Sequence, residues 1–179
     1  AFNGPLKQWS NTREAGEDVI FGTPIFRAGR RLTSTDLSLL ASAGVAEVDV
    51  YSRLRVGVLS TGNELRMPGQ TVDGWQIYDA NRLMLLSMIR DLGFEAVDLG
   101  LVEDSRDKVR DTLNRGAQSC DLITTSGGAS AGDEDHISAI LKTEGQLTSW
   151  RIALKPGRPL ALGVWSETPV IGLPGNPVA

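Results

Sequence analysis

The 179-residue sequence contains one cysteine, Cys120, and one histidine, His136. A single cysteine cannot form an intrachain disulfide, and neither residue type is numerous enough for a cysteine- or histidine-based metal site. No apolar run approaches the roughly eighteen residues of a membrane span, and the first residues lack the pattern of a signal peptide. The net charge of −4 argues against a general nucleic-acid binder, which would carry a basic face. We therefore expect a cytoplasmic protein with no membrane or nucleic-acid partner.

Strand and helix patterns alternate along most of the chain. The stretches "RLRVGVLST", "FEAVDLGLV" and "DLITTSG" have the composition of buried strands. Helical patterns follow them at 79–92, 105–117 and 133–145, and strand patterns dominate afterwards. In the first of these helices, the apolar residues at helical spacing are Leu83, Leu86, Met88 and Ile89. This alternation predicts an α/β fold with a mainly parallel sheet covered by helices on both faces.

The first fifty residues have a different pattern. They predict a short, turn-rich strand pair, then a helix capped by Thr33 that ends at Gly44, then a strand from Val45. We expect residues 1–50 to be the remnant of a preceding linker or helical domain and residues 51–179 to form the α/β domain. The chain begins without Met and stops directly after a strand-and-turn signal, so we expect a fragment of a longer protein.

Small residues and carboxylates accumulate where three predicted strands end. Ligands of open α/β sheets bind beyond the carboxyl ends of the strands. Small residues let backbone N–H groups approach an anion, whereas nearby carboxylates would repel a phosphate unless a hard cation such as Mg²⁺ lies between them. We therefore expect a nucleotide-like or phosphorylated substrate held with Mg²⁺. The strand-end residues of this candidate site are Ser60, Thr61, Gly62, Asn63 and Glu64, then Glu103 and Asp104, then Ser126, Gly127, Gly128, Ser130, Gly132 and Asp135.

Each of these features also has a plain structural explanation. Acidic residues such as Asp135 are common in the first turn of a helix because they interact with the helix dipole, and Asp104 stands just before a predicted helix. Gly127 and Gly128 could form only a tight turn, and the stretch is neither a Walker A motif nor a dinucleotide fingerprint. Three consecutive strand ends each supply a carboxylate, however, and this convergence favours a site.

Two proline-containing loops add further candidates. In "LKPGRP", Lys155 and Arg158 flank the turn formed by Pro156 and Gly157, and both cations suit an oxyanion. In "LPGNP", prolines fix a loop that contains Gly175 and Asn176. Rigid structural turns are the alternative explanation for both loops.

Six stretches, in this order and spacing, closely resemble the MoeA family of molybdopterin molybdenumtransferases, which is related to the gephyrin E domain. They are "STGNEL", "IYDANR", "LGLVEDS", "TSGGASAGDEDH", "LKPGRP" and "GLPGNPV". The smaller MoaB/Mog adenylyltransferases and the CinA family share the sheet domain, but their motifs fit less well.

The resemblance implies a three-layer α/β/α molybdopterin-binding domain. The implied reaction consumes adenylylated molybdopterin and molybdate, inserts molybdenum at the dithiolene and releases AMP with the help of Mg²⁺. Carried over by motif, Glu64, Asp104 and Asp135 are the catalytic and metal-binding acids. The "IYDANR" motif adds Asp79 and Asn81 to the substrate-binding residues.

The resemblance also implies a homodimer in the full-length protein and a possible contact with a Mog-type adenylyltransferase. Family members carry a β-rich domain before this region and a β domain after it, and a partner subunit completes the cleft. We therefore expect this chain alone to bind substrate without efficient turnover. The alternatives are a MoaB/Mog-type adenylyltransferase, which would release pyrophosphate from ATP, and a non-catalytic binding module.

Overall fold

The computed structural model describes residues 4–5, 7–128, 136–151 and 159–175. Internal contacts divide the chain into two units, Ala1–Tyr51 and Ser52–Ala179. Within the described residues, no helix is long and apolar enough to span a membrane.

In the part of the first unit that the structure describes there is one helix, α1 (Ser34–Ser42). As predicted, Thr33 caps it: the Thr33 hydroxyl accepts from the Asp36 N–H, and the Asp36 carboxylate accepts from the Thr33 N–H at 2.9 Å. A hydrogen bond from Arg30, followed by the bond from the Thr33 N–H, lowers the pKa of Asp36 to about 2. The predicted strand pair and the strand from Val45 are wrong. In the described part of this unit no segment pairs with these stretches, and an unpaired strand has no ladder to stabilise it.

The second unit is a mixed sheet flanked by helices, as the alternating pattern predicted. Its elements are β1 (Arg55–Thr61), β2 (Leu65–Arg66), β3 (Ile77–Tyr78), α2 (Ala80–Asp91), β4 (Glu95–Val102), α3 (Arg106–Ser119), β5 (Leu122–Ser126), α4 (His136–Thr143), β6 (Gln146–Arg151), β7 (Pro159–Trp165) and β8 (Thr168–Leu173). The six-stranded sheet has the order β4-β1-β5-β8-β7-β6; the first four strands are parallel, and β7 and β6 are antiparallel to their neighbours. Two very short strands, β2 and β3, pair separately.

Alternating side chains of β1 separate two hydrophobic clusters. Val56 and Val58 pack with Leu86 and Ile89 of α2. Leu59, which points to the opposite face, belongs to a larger cluster built with α3 and α4. The three-layer α/β/α architecture is therefore confirmed, with one helix on one face and two on the other.

Two glycines make room for side chains packed between α3 and the sheet. A Cβ on Gly57 of β1 would come within 2.7 Å of Leu99 Cδ1, and one on Gly116 of α3 within 2.8 Å of Ile123 Cδ1. Cys120 is buried at the end of this helix, in the same cluster.

The carboxyl ends of β4, β1, β5 and β8 lie in a row because these four strands are parallel neighbours. The candidate residues found in the sequence follow the first three of these strands, so the fold brings them to one edge of the sheet.

Candidate functional site

The strand β1 ends in two hydroxyl side chains that are buried without hydrogen-bond partners. Ser60 is fully buried and Thr61 is 4% exposed. Neither Ser60 Oγ nor Thr61 Oγ1 has a partner among the described residues. Leaving such a group unsatisfied costs roughly 1–3 kcal/mol, so it is uncommon in a native protein. The two hydroxyls lie on opposite faces of the strand, and neither has its hydrogen-bonding capacity satisfied among the described residues.

Gly127 and Gly128 bring the chain after β5 against Thr61. Both have positive φ angles, 89° and 70°, which other residues adopt at a cost. A Cβ on Gly127 would lie 2.6 Å from the Thr61 carbonyl oxygen, and one on Gly128 would lie 2.5 Å from Ile137 Cγ1 and 3.3 Å from Thr61 Oγ1. The small residues are thus required by contact as well as by conformation. The Gly127 N–H already donates to the Leu173 carbonyl at 3.1 Å, so it does not serve an anion.

The ends of β1 and β4 and the start of α4 are tied together by hydrogen bonds. The Asn63 side-chain oxygen accepts from the Asp104 N–H at 3.1 Å. The Asp104 carbonyl oxygen lies 3.2 Å from Nε2 of His136. Predicted site residues from two strand ends are therefore adjacent. His136, the residue after Asp135 in the sequence, joins them to the third segment.

Glu64 follows Gly62 at the exposed end of β1. Gly62 has a φ of +154°, and a Cβ on it would lie 2.6 Å from the Glu64 carboxylate, so the carboxylate lies against the turn. Within the described part of the chain, no group of three His, Cys, Asp or Glu side chains is placed to hold a metal ion.

The start of α2 connects the ends of β5 and β8. The Asn81 side-chain nitrogen donates to Ser126 Oγ at 2.9 Å and to the Gly175 carbonyl at 2.7 Å. Both of its hydrogens are thus used within the protein, so this amide holds two strand ends together. The buried Asp79 carboxylate caps α2 and pairs with Arg82 at 3.0 Å. Substrate contact by Asp79 or Asn81 stays a prediction.

Eight predicted site residues lie outside the described residues. They are Ser130, Gly132, Asp135, Lys155, Pro156, Gly157, Arg158 and Asn176. Their roles stay predictions.

A cavity of about 540 Å³ lies beside the carboxyl ends of β1 and β4, and we call it the Trp75 cavity. Trp75, Arg66 and Leu101 line it together with Gly62 and Glu103. Gly62 and Glu103 were predicted from the sequence, whereas Trp75 and Arg66 were not. Trp75 lies in a turn between β2 and β3, and because each of these strands is two residues long, no periodic pattern indicates its position.

Glu103 carries an ion pair at the rim of this cavity. Lys108 Nζ lies 2.6 Å from the Glu103 carboxylate. That hydrogen bond and the charge of Lys108, with a smaller contribution from Arg66, lower the pKa of Glu103. The carboxylate is therefore an ionised hydrogen-bond acceptor at neutral pH.

Comparison with known proteins identifies molybdopterin-related proteins, as the sequence motifs predicted. The family model described as "probable molybdopterin binding domain" matches residues 57–179. A molybdopterin molybdenumtransferase of Haemophilus influenzae is 43% identical over 169 residues, which is 94% of this chain and 42% of the relative. The chain thus spans less than half the length of this curated relative.

Solved structures show the same fold. A molybdopterin biosynthesis MoeA protein from Pyrococcus horikoshii superposes with a TM-score of 0.72 at 34% identity, over 83% of this chain and 37% of that protein. The molybdopterin biosynthesis enzyme MoaB from Thermus thermophilus superposes with a TM-score of 0.51 at 22% identity, over 69% and 82% of the two chains. The second likeness concerns the fold alone.

Proposed function

Because the chain belongs to the family of probable molybdopterin-binding domains, we propose that it works in molybdenum cofactor biosynthesis as part of a molybdopterin molybdenumtransferase. The proposed reaction takes adenylylated molybdopterin and molybdate, transfers molybdenum to the dithiolene and releases AMP. The observation that carries this proposal is the buried, unpartnered Thr61 hydroxyl enclosed by Gly127 and Gly128.

The Thr61 hydroxyl is suited to a phosphate oxygen. It lies at the carboxyl end of a central parallel strand, where ligands of such sheets bind. Gly127 and Gly128 present no side chains to this buried hydroxyl. A donated hydrogen bond would remove the cost of the unsatisfied hydroxyl and would be strengthened by the negative charge of the acceptor.

Mg²⁺ is the metal that the donor set fits. Glu64, Asp104 and Asp135 offer only carboxylate oxygens, which hard cations prefer. We propose that these three acids hold the ion, with Asp135, which lies outside the described residues, as the third ligand. Bound there, Mg²⁺ would offset the negative charge between the acids and the substrate phosphates.

The proposed Mg²⁺ role has a direct binding test. Titration calorimetry of AMP should give tighter binding with Mg²⁺ than with a chelator, and the enhancement should shrink in Asp135→Asn. Equal affinity for AMP with and without Mg²⁺ would contradict the metal site and would mean that these acids serve only as helix caps or surface residues.

The remaining parts of the proposal rest on the resemblance. Lys155 and Arg158 would bind an oxyanion, either molybdate or a pterin phosphate, with Pro156 and Gly157 shaping their turn. Ser130, Gly132 and Asn176 would complete the substrate contacts. The full-length protein would act in the cytoplasm as a homodimer and could receive its substrate from a Mog-type adenylyltransferase.

Thr61→Val is the sharpest test of the phosphate site. It removes the hydroxyl and keeps the shape, and because that hydroxyl has no described partner, stability should be unchanged or slightly higher. Binding of AMP and of adenylylated molybdopterin, measured by calorimetry, should weaken by about tenfold. Thr168→Val, at the opposite end of the sheet, removes a hydroxyl that does have a partner, the Ala117 carbonyl. This control should lose some stability and keep its affinity.

The outcomes separate the candidate functions. Unchanged affinity in Thr61→Val would contradict the phosphate site. Molybdate-dependent AMP release from adenylylated molybdopterin supports the molybdenumtransferase, whereas pyrophosphate release from ATP would replace it with an adenylyltransferase. Because this chain alone is expected to bind without efficient turnover, both reactions are measured on the full-length protein, and tight binding without either reaction there would indicate a binding module.

A further inference from the structure

The Trp75 cavity owes its shape to an irregularity in β4. The pairing of β1 with β4 runs from Val58 opposite Asp98 directly to Leu59 opposite Gly100, so Leu99 is an extra residue. Such a bulge shifts the alternation of every later side chain to the other face. Leu99 packs in the α3-side cluster, and so does Val102 three residues later.

The shift determines what lines the cavity. Regular alternation from Leu99 would place Leu101 on the α3 side, but the bulge turns Leu101 toward the cavity, and Glu103 follows it. Gly100, at the bulge, has a φ of +90° and nothing within 4 Å of the position of a Cβ. Gly100 therefore lines the cavity at the bulge without a side chain that would fill it.

Two flat groups form one wall. The Trp75 side chain is 62% exposed, and the Arg66 guanidinium carbon lies 6.0 Å from its ring centroid. This distance is at the outer limit of a cation–π contact, so the two groups do not cover each other closely. Arg66 is held in place because it donates to the carbonyls of Asn63, at 3.0 Å, and Leu65, at 2.7 Å. Indole and guanidinium planes are the surfaces on which heteroaromatic rings stack.

The polar edge of the cavity offers an acceptor. The Glu103 carboxylate pairs with Lys108 at 2.6 Å through one oxygen and can accept from the N–H groups of a ligand. A carboxylate edge suits N–H donors, so this cavity differs in chemistry from the position beside Thr61. A volume of about 540 Å³ lies within the range of about 300–1,000 Å³ found for small-ligand sites.

We propose that the Trp75 cavity binds a planar heteroaromatic ring with N–H donors, of the pterin or purine class, with its face on Trp75 and Arg66 and its donor edge at Glu103. The proposal rests on the proposed function in one respect: adenylylated molybdopterin carries one ring of each class. A pterin presents an N–H and an NH₂ side by side, which matches two carboxylate oxygens. Adenine presents an NH₂ beside a ring acceptor, so the carboxylate favours the pterin.

The test uses neopterin and adenosine, which carry these rings without phosphate. Calorimetric titration of the 179-residue chain should show neopterin binding that weakens about tenfold or more in Trp75→Ala, since stacking on one aromatic ring is worth that much. Trp75→Phe should retain most of the affinity, and Glu103→Gln should weaken neopterin without affecting adenosine. Trp9→Ala, which removes an exposed tryptophan of the first unit, is the matched control and should change nothing.

The titrations with neopterin and with adenosine identify the ring that the Trp75 cavity binds, and their outcome does not depend on the phosphate site proposed above. Loss of neopterin binding in Trp75→Ala identifies a pterin site, and loss of adenosine binding identifies a purine site. The proposal is overturned if both probes bind Trp75→Ala as tightly as the wild type, or if neither binds the wild type at millimolar concentration. Thr61→Val should leave both probes unaffected because they lack phosphate, so its result tests only the phosphate site.

Discussion

The two faces of the central sheet are stabilised in different ways. Among the described residues, ten on the α3 and α4 face form one buried hydrophobic cluster, and the ion pairs among Arg106, Arg110 and Glu144 lie outside it, partly exposed. The cluster on the α2 face has four described residues. Beside it, Arg82 is 3% exposed and pairs with Asp79, which is 1% exposed, and with Asp98 of β4.

The difference concerns how a helix is fixed to the sheet. Hydrophobic packing is strong but has little directional preference, whereas a buried guanidinium must find its partners in one geometry. Arg82 joins the N-terminal cap of α2 to an edge strand, next to Asn81, which holds the ends of β5 and β8. We infer that the ionic network orients the helix start that the candidate site depends on, while the larger cluster supplies stability.

Arg82→Ala should have the largest effect. Burial opposes the charged guanidinium, but hydrogen bonds to Asp98 and Asp79 outweigh it, so the pKa of Arg82 is raised. Removing the arginine leaves the buried Asp79 carboxylate without its cation, which typically costs about 3–5 kcal/mol. Urea denaturation measures the free energy of unfolding. Arg90→Ala, on the exposed side of the same helix, is the control and should stay within about 0.5 kcal/mol of the wild type. A similarly small loss in Arg82→Ala would mean that the network adds nothing to the α2 face.

Leu113→Ala and Leu83→Ala compare the two faces with one substitution. Leu113 of α3 is fully buried, and its truncation should cost about 2–5 kcal/mol because it leaves a cavity in the larger cluster. Leu83 of α2 is 53% exposed, so its truncation should cost less than about 1 kcal/mol. The same urea titrations provide both values, and a large loss in Leu83→Ala would show that the α2 face buries more than this chain's structure indicates.

The sequence predicted the elements of the sheet domain well but not which side of α2 is buried. Of the four apolar residues expected on its inner face, Leu86 and Ile89 are buried, whereas Leu83 and Met88 are exposed. The helix is apolar almost all round, so periodicity alone cannot select a face. Arg82 lies on the buried side of the helix, although its charge would predict a surface position. It can be buried because it pairs with two carboxylates, those of Asp79 and Asp98, and the helical pattern does not reveal these pairs.

The candidate site was predictable where it follows strand ends and not elsewhere. The topological rule placed Thr61, Gly127 and Gly128 at one edge of the sheet, and the structure explains the glycines by their contacts. The Trp75 cavity was not predictable, because the bulge at Gly100 breaks the alternation that a sequence pattern assumes. Nor did the sequence distinguish binding from positioning for Asn81, whose two hydrogens are both used within the protein.

The smallest expected effect is the acid dependence of the ion pairs on the α3 and α4 face. Hydrogen bonds from Arg110 and then Arg106 lower the pKa of Glu144 from its ordinary 4.5 to about 2. A carboxyl group with a lowered folded-state pKa stabilises the protein fully above its unfolded pKa, and that contribution is lost as the pH falls through the folded pKa. The stability difference between wild type and Glu144→Gln should therefore be constant above about pH 5 and should shrink between about pH 4.5 and pH 2. Because these side chains are partly exposed, the difference should also shrink in high salt. Urea titrations at pH 6, 4 and 3 with and without added salt measure it, and a difference that does not depend on pH would mean that Glu144 acts through packing rather than charge.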